Sequence, residues 1–152
     1  MIAIGSDHGG YELKEQIKAF LDEKDLAYKD FGTYSTDSCD YADIAEVTCD
    51  AVVRGECDKA ILICGTGIGI SMAANKINGI RAAACSDYFS AKYTRLHNDA
   101  NALCLGGRVL GVGEACELVD VFLSTGFEGG RHATRIAKIA ALEERETNKA
   151  AK

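Results

Sequence analysis

The sequence predicts a three-layer α/β/α sandwich built on a five-stranded parallel sheet. Short apolar runs of β type alternate with amphipathic helical stretches along all 152 residues. That is the pattern of successive parallel βαβ units joined by right-handed crossovers. One run, KAILIC at 59–64, is apolar almost throughout, as a central strand covered on both faces must be. The length suits one domain with one sizeable core, so a single domain over 1–152 is expected.

The elements follow in order. MIAIG at 1–5 is a short apolar run ending at glycine, the first strand. Residues 10–24 carry Leu13, Ile17, Phe20 and Leu21 at helical spacing among Lys and Glu. Residues 26–31 form the second strand. The next segment, 32–40, holds Thr33, Ser35, Thr36, Asp37 and Ser38, so it is a loop. A second amphipathic helix covers 41–54. The third strand at 59–64 leads into a glycine loop, 65–69, and a short helix, 70–76. A fourth strand (80–85), a helix (88–96) and a fifth strand (102–105) come next. Two helices, 113–124 and 132–146, close the chain, and 147–152 is expected to fray. There is no internal repeat, low-complexity tract or linker.

Composition removes several classes. Apolar residues make up 47% and charged residues 26%, the balance of a globular chain rather than a disordered one. With no proline the chain is neither collagen-like nor a polyproline scaffold. A net charge of −6 argues against nucleic acid and anionic membrane as partners. No apolar run approaches the ~18–20 residues of a membrane span. MIAIGSDHGG has no basic start and no long apolar stretch, so it does not read as a secretory signal. The seven cysteines, at 39, 49, 57, 64, 85, 104 and 116, are odd in number and contain no C-x-x-C pair. They read as reduced thiols of a cytoplasmic protein, most of them small buried apolar residues.

In such folds a ligand sits beyond the carboxyl ends of the strands, at a topological switch point. The residues to weigh are therefore 6–10, 33–41, 65–69, 86–87 and 106–108. The strongest local feature is Cys64-Gly65-Thr66-Gly67-Ile68-Gly69-Ile70-Ser71. A cysteine ends a buried strand and three alternating glycines lead into a helix. Glycine allows close backbone approach and positive φ. Successive N–H groups at a helix start form an anion site, and a sulfur placed there favours thiolate over thiol. The competing reading is a core thiol followed by a tight turn. Three better-known motifs fail at Ile70: the nucleotide P-loop needs Lys there, the dinucleotide fingerprint Gly, and a tyrosine phosphatase Arg. No H-E-x-x-H or paired cysteine spacing supports a metal.

All three histidines lie at loops or element ends: His8 after the first strand, His97 before the fifth, and His132 at the last helix. Each alone is compatible with an ordinary solvated histidine; His8 gains from adjoining the switch point. Arg131 and Arg135 are four apart at the start of the last helix, on one face. Two cations there oppose the helix dipole. A bound phosphate would resolve that conflict, and so would pairing with Glu128 or surface carboxylates. Arg108, just after the fifth strand, is a third candidate phosphate contact.

Taken together, the motifs are specific. In order they are Gly5-Ser6-Asp7-His8-Gly9-Gly10, Asp40-Tyr41, Ile63 through Ser71, Ala74-Asn75-Lys76, Gly79-Ile80-Arg81-Ala82, His97-Asn98-Asp99-Ala100-Asn101, Gly106-Gly107-Arg108 and Glu128-Gly129-Gly130-Arg131-His132. Over residues 1–146 the chain resembles the type B ribose-5-phosphate isomerases, within a wider family that includes galactose-6-phosphate and allose-6-phosphate isomerases. The resemblance implies a Rossmann-like sheet of order 2-1-3-5-4 and a cofactor-free, metal-free interconversion of ribose 5-phosphate and ribulose 5-phosphate through a cis-enediolate. It implies that Cys64 is the base moving a proton between C2 and C1, that Thr66 assists at the sugar oxygens, and that His97 opens the furanose ring. The amides of Gly65, Gly67, Ile68 and Gly69, with Asn98, would stabilise the oxyanion. Asp7 and Tyr41 would contact sugar hydroxyls, and His8, Arg108, Arg131 and Arg135 would surround the phosphate.

The resemblance further implies a homodimer or tetramer whose sites are shared between subunits. Some family members use a glutamate base after the glycine loop; Ser71 and Met72 offer no carboxylate, which puts this chain on the cysteine branch. Where the family usually has proline after the Asp-Tyr pair, Ala42 stands here, and a looser setting for Tyr41 is expected. A six-carbon sugar phosphate, such as allose or galactose 6-phosphate, and a non-catalytic phosphosugar-binding module are the alternative readings.

Overall fold

The computed structural model describes residues 1–151. In chain order it contains β1 (Ile2–Ser6), a 3₁₀ turn (His8–Gly10), α1 (Tyr11–Glu23), β2 (Tyr28–Asp30), α2 (Tyr41–Val53), β3 (Lys59–Cys64) and α3 (Ile68–Ala74). Then come β4 (Ala82–Ala84), α4 (Tyr88–Asn98), β5 (Ala102–Gly106), α5 (Val112–Ser124) and α6 (Arg131–Ala150). The strands form one parallel sheet in the order β2-β1-β3-β5-β4. This is the predicted class and strand order.

The sheet separates two cores, because successive side chains on a strand point to opposite faces. On one face Ile2, Ile4, Ile61, Ile63, Leu103 and Leu105 meet Ile17 and Leu21 of α1 and Leu118 and Phe122 of α5. The other face is lined by smaller groups: Ala3, Ala60, Leu62, Cys64, Ala102 and Cys104 meet Ala45 and Cys49 of α2 and Ile70 and Ala74 of α3. Small side chains let α2 and α3 lie close to the sheet. Cys64 belongs to this second face.

Register sets the site. Ser6 pairs opposite Ile63 and Cys64 opposite Gly106. The last residues of β1, β3 and β5 are therefore level, and the loops that follow them start side by side.

The differences from the sequence reading lie at element ends. β2 and β4 have three residues each, against six expected. Leu26 and Ile80 are packed in the cores but lie outside the ladder. An apolar run reports burial, whereas strand length at an edge is set by pairing with a single neighbour. α3 begins two residues earlier than read, directly after Gly67. α6 runs to Ala150, beyond the expected end at 146; Lys152, the last residue of the expected frayed tail, lies outside the described residues. Among the described residues no helix is long and apolar enough to cross a membrane.

One buried cation braces the first loop. Lys14 of α1 is fully buried and its Nζ donates to Asp30 Oδ1 at 2.7 Å and to the Thr33 carbonyl at 2.6 Å. It ties α1 to the end of β2 and to the segment leading toward Tyr41.

Candidate active site

Three loops converge beyond β1, β3 and β5 and are held to one another by backbone. The Asp7 N–H donates to the Ile63 carbonyl at 3.1 Å, the Gly107 N–H to the Cys64 carbonyl at 2.7 Å, and the Arg108 N–H to the Gly65 carbonyl at 3.0 Å. Glycine is required at the contacts. A Cβ on Gly107 would stand 2.6 Å from the Gly9 carbonyl oxygen. Gly67 has φ +78°, and a Cβ there would stand 2.9 Å from the backbone carbon of Leu105.

Cys64 closes β3 with 3% exposure. Its Sγ accepts a hydrogen bond from the Gly67 N–H at 3.1 Å. Thr66 is exposed beside it, and its Oγ1 accepts from the Ile68 N–H at 3.2 Å. The Tyr41 ring, on the first residue of α2, lies against Gly69: a Cβ there would be 2.9 Å from Cζ. Ala42 is the second residue of that helix. The Arg108 side chain covers Gly65, its Nη1 3.3 Å from where a Cβ would stand.

The first loop contributes two groups. Asp7 is buried and caps the 3₁₀ turn, its Oδ1 accepting from the Gly10 N–H at 3.1 Å. His8 Nδ1 lies 3.2 Å from both the N–H and the carbonyl oxygen of Cys39, which anchors the ring to the 33–41 segment.

These groups suit removal of a proton next to a carbonyl. Such a C–H is a weak acid, so the reaction needs a positioned base and donors for the resulting oxyanion. Burial pushes Cys49 up to about 12 and Cys85 to about 11, and raises Cys57, Cys104 and Cys116 as well.

The remaining candidates form a second cluster at the β4 edge. His97 and Asn98 end α4. Asp99 follows with φ 44°, and the nearly buried Arg95 fixes it, donating to Asp99 Oδ1 at 2.7 Å and to the Ala100 carbonyl at 2.6 Å. Arg81 adds a bond to the Asn98 carbonyl at 3.0 Å. The Glu128 N–H donates to the Leu96 carbonyl at 3.1 Å, bringing the start of α6 to His97. There the His97 and His132 rings stack with centroids 4.0 Å apart. Arg131 and Arg135 stand exposed beside His132. His97 and Asn98 also line a groove of about 370 Å³ with Cys85, Phe89 and Tyr93.

The chain therefore brings Asp7, His8, Tyr41, the 64–69 loop and Arg108 together. It gathers His97, Asn98, Arg131 and Arg135 elsewhere. Among the described residues no hydrogen bond, ion pair or ring contact joins the two groups. Sequence reasoning missed Glu128 as more than a pairing option for the arginines. Its spacing of four from His132 was the available signal; its approach to His97 had none.

The profile of the Ribose/Galactose Isomerase family matches residues 2–139. Ribose-5-phosphate isomerase B of Escherichia coli (strain K12) is 49% identical over 144 residues, which cover 95% of this chain and 97% of that protein. The solved structure of Clostridium thermocellum ribose-5-phosphate isomerase B superposes with a TM-score of 0.94 at 52% identity, over 95% of this chain and 98% of that one. D-erythrulose-4-phosphate isomerase of Pectobacterium atrosepticum is 40% identical over 146 residues, 95% of this chain and 96% of that protein.

Proposed function

The chain belongs to the ribose/galactose isomerase family and is a sugar-phosphate isomerase, and from that premise we propose that it interconverts ribose 5-phosphate and ribulose 5-phosphate through a cis-enediolate with Cys64 as the base. The observation that carries the reading is the Gly67 N–H held 3.1 Å from the Cys64 sulfur, where three strand-end loops meet. No cofactor or metal takes part in the proposed reaction.

The open-chain aldose lies with C2 over Cys64. The thiolate takes the C2 proton and the electron pair moves onto O1. Amides of Gly65, Gly67, Ile68 and Gly69 and the Asn98 side chain receive the oxyanion, while Thr66 passes a proton between O1 and O2. The thiol then returns its proton to C1, leaving the ketose. His97 opens the furanose ring beforehand. Asp7 and Tyr41 hold sugar hydroxyls. His8, Arg108, Arg131 and Arg135 bind the phosphate.

A complete site needs two copies. The base and the ring-opening histidine sit in separate clusters of one chain, so one subunit supplies the Cys64 loop and its partner His97, Asn98, Arg131 and Arg135. α6 supports this: of its twenty residues only His132 is buried, and Ile139 and Leu142 are about half exposed. Such an apolar face calls for a partner. We place the homodimer, alone or paired into a tetramer, in the cytoplasm, each chain acting as one domain.

A second reading changes only the sugar, and the similarity to an isomerase named for a four-carbon phosphate favours keeping it. Isomerisation assays over four-, five- and six-carbon sugar phosphates, without added metal or nucleotide, test both. The largest kcat/KM is expected on ribose 5-phosphate; a larger value on allose or galactose 6-phosphate moves the substrate. Binding of every sugar phosphate without solvent-deuterium exchange at C1 or C2 would make the chain a non-catalytic module.

A further inference from the structure

The two stacked histidines and Glu128 present an arrangement that isomerisation alone does not explain. His97 Nε2 lies 3.8 Å and His132 Nε2 3.3 Å from the same oxygen, Glu128 Oε2. Neither contact is a formed hydrogen bond: the first is too long, and the His132 Nε2 is buried without a hydrogen-bond partner. His132 itself is 4% exposed, and leaving a buried polar nitrogen in this way is costly. Two imidazole nitrogens and a carboxylate oxygen thus lie within 4.8 Å of one another with nothing bonding them to each other, and a shared ion would require the His97 ring to turn out of its parallel stack on His132.

We propose that His97, Glu128 and His132 form a binding site for a divalent transition ion, with zinc the best match. Two imidazoles with one carboxylate are a donor set that suits zinc and its neighbours. Magnesium and calcium prefer oxygen ligands. Ligand distances of about 2.0–2.1 Å require the three atoms to draw together. His132 is fixed by burial, whereas Glu128 and His97 are about half and one third exposed and can rotate inward. Arg131 and Arg135 stand beside His132 and weaken the site by repulsion, which makes the ion an exchangeable ligand. Bound zinc occupies a nitrogen of His97. Its effect on turnover therefore rests on the role proposed above for that residue, whereas binding itself does not.

Full-length protein stripped with a chelator and titrated with zinc chloride, then with cobalt chloride, tests the site. One ion per chain is expected at this site. The cobalt form should show visible d–d bands without a thiolate-to-metal charge-transfer band. Glu128→Gln, an exposed change that the fold tolerates, should weaken zinc binding at least about tenfold, the low end of what losing even an outer-shell partner costs; His132→Asn should do the same. Unchanged zinc affinity in Glu128→Gln overturns the proposal, as does a thiolate charge-transfer band that disappears with Cys64→Ala. Reversible arrest of isomerisation by zinc, relieved by chelator, is the expected consequence. Zinc bound at these ligands with turnover intact removes His97 from ring opening and leaves the metal site standing, so the two readings fail separately.

Discussion

The Gly67 amide donates to the Cys64 sulfur across 3.1 Å, from a residue whose φ of +78° and contact with the Leu105 backbone exclude a side chain. The direction in which the sulfur points is therefore fixed by a glycine three residues later. Replacing Cys64 by alanine removes the proposed base while leaving that loop in place. The kcat should fall by roughly 10²–10⁴-fold, the usual share of a positioned general base, while calorimetry finds phosphosugar affinity little changed. Near-normal turnover would remove Cys64 from the chemistry.

Alkylation should single out the same sulfur. Iodoacetamide at neutral pH is expected to inactivate the enzyme, with phosphate or substrate protecting it. The thiols that burial holds at about 12 (Cys49) and about 11 (Cys85) stay protonated there and react slowly. Peptide mapping by mass spectrometry decides the matter: inactivation that follows modification of another cysteine contradicts the assignment.

Two glycines with similar backbones separate strain from crowding. Gly55 has φ +74° with nothing within 4 Å of a new Cβ, whereas Gly67 at +78° meets the Leu105 carbonyl carbon at 2.9 Å. Gly55→Ala should cost about 1–2 kcal/mol, the left-handed penalty alone. Gly67→Ala should cost clearly more and also depress kcat. Equal losses in urea unfolding would mean that the loop yields without effort.

If subunits share sites, two dead enzymes can make a live one. Cys64→Ala and His97→Gln homodimers, unfolded together and refolded, should regain about a quarter of wild-type activity. Half the dimers are then mixed, and each mixed dimer has one intact site. Should the mixture stay as inactive as its parents, both groups belong to one chain's site.

His132 sets a pH dependence of stability. Burial lowers its folded-state value below the ordinary 6.5, so below that pH the unfolded chain binds more protons. By linkage, unfolding free energy then rises with pH, and stability is lost as pH falls through 6.5 toward the folded value. His132→Gln should flatten the loss between about pH 7 and 5 in denaturant titrations. An unchanged slope would place the loss on other groups.

Much of this was legible in the chain because buried parallel strands and strand-end glycines leave strong local signals. The 59–64 run and the start of α2 at Tyr41 emerged as read, while the glycine loop after Cys64 turns into helix two residues early. The edge strands were overestimated, because Leu26 and Ile80 are apolar for packing rather than pairing. The buried Lys14–Asp30 pair was invisible: nothing in a lysine on an amphipathic helix reveals that its ammonium ends inside. The meeting of His97 with Glu128 and His132 depends on how α6 lies against α4, a tertiary choice without local periodicity.

The interlocked glycines also bear on how this enzyme could change. Where Gly67 meets Leu105, Gly107 meets Gly9 and Gly69 meets Tyr41, backbone touches backbone or ring, and no larger residue can be admitted without moving a neighbouring loop. The floor around Cys64 is thereby closed to gradual variation. New substrates must be acquired at its margins, where Tyr41 and Arg108 stand. One chemistry can then be inherited unchanged while the length of the sugar it serves drifts.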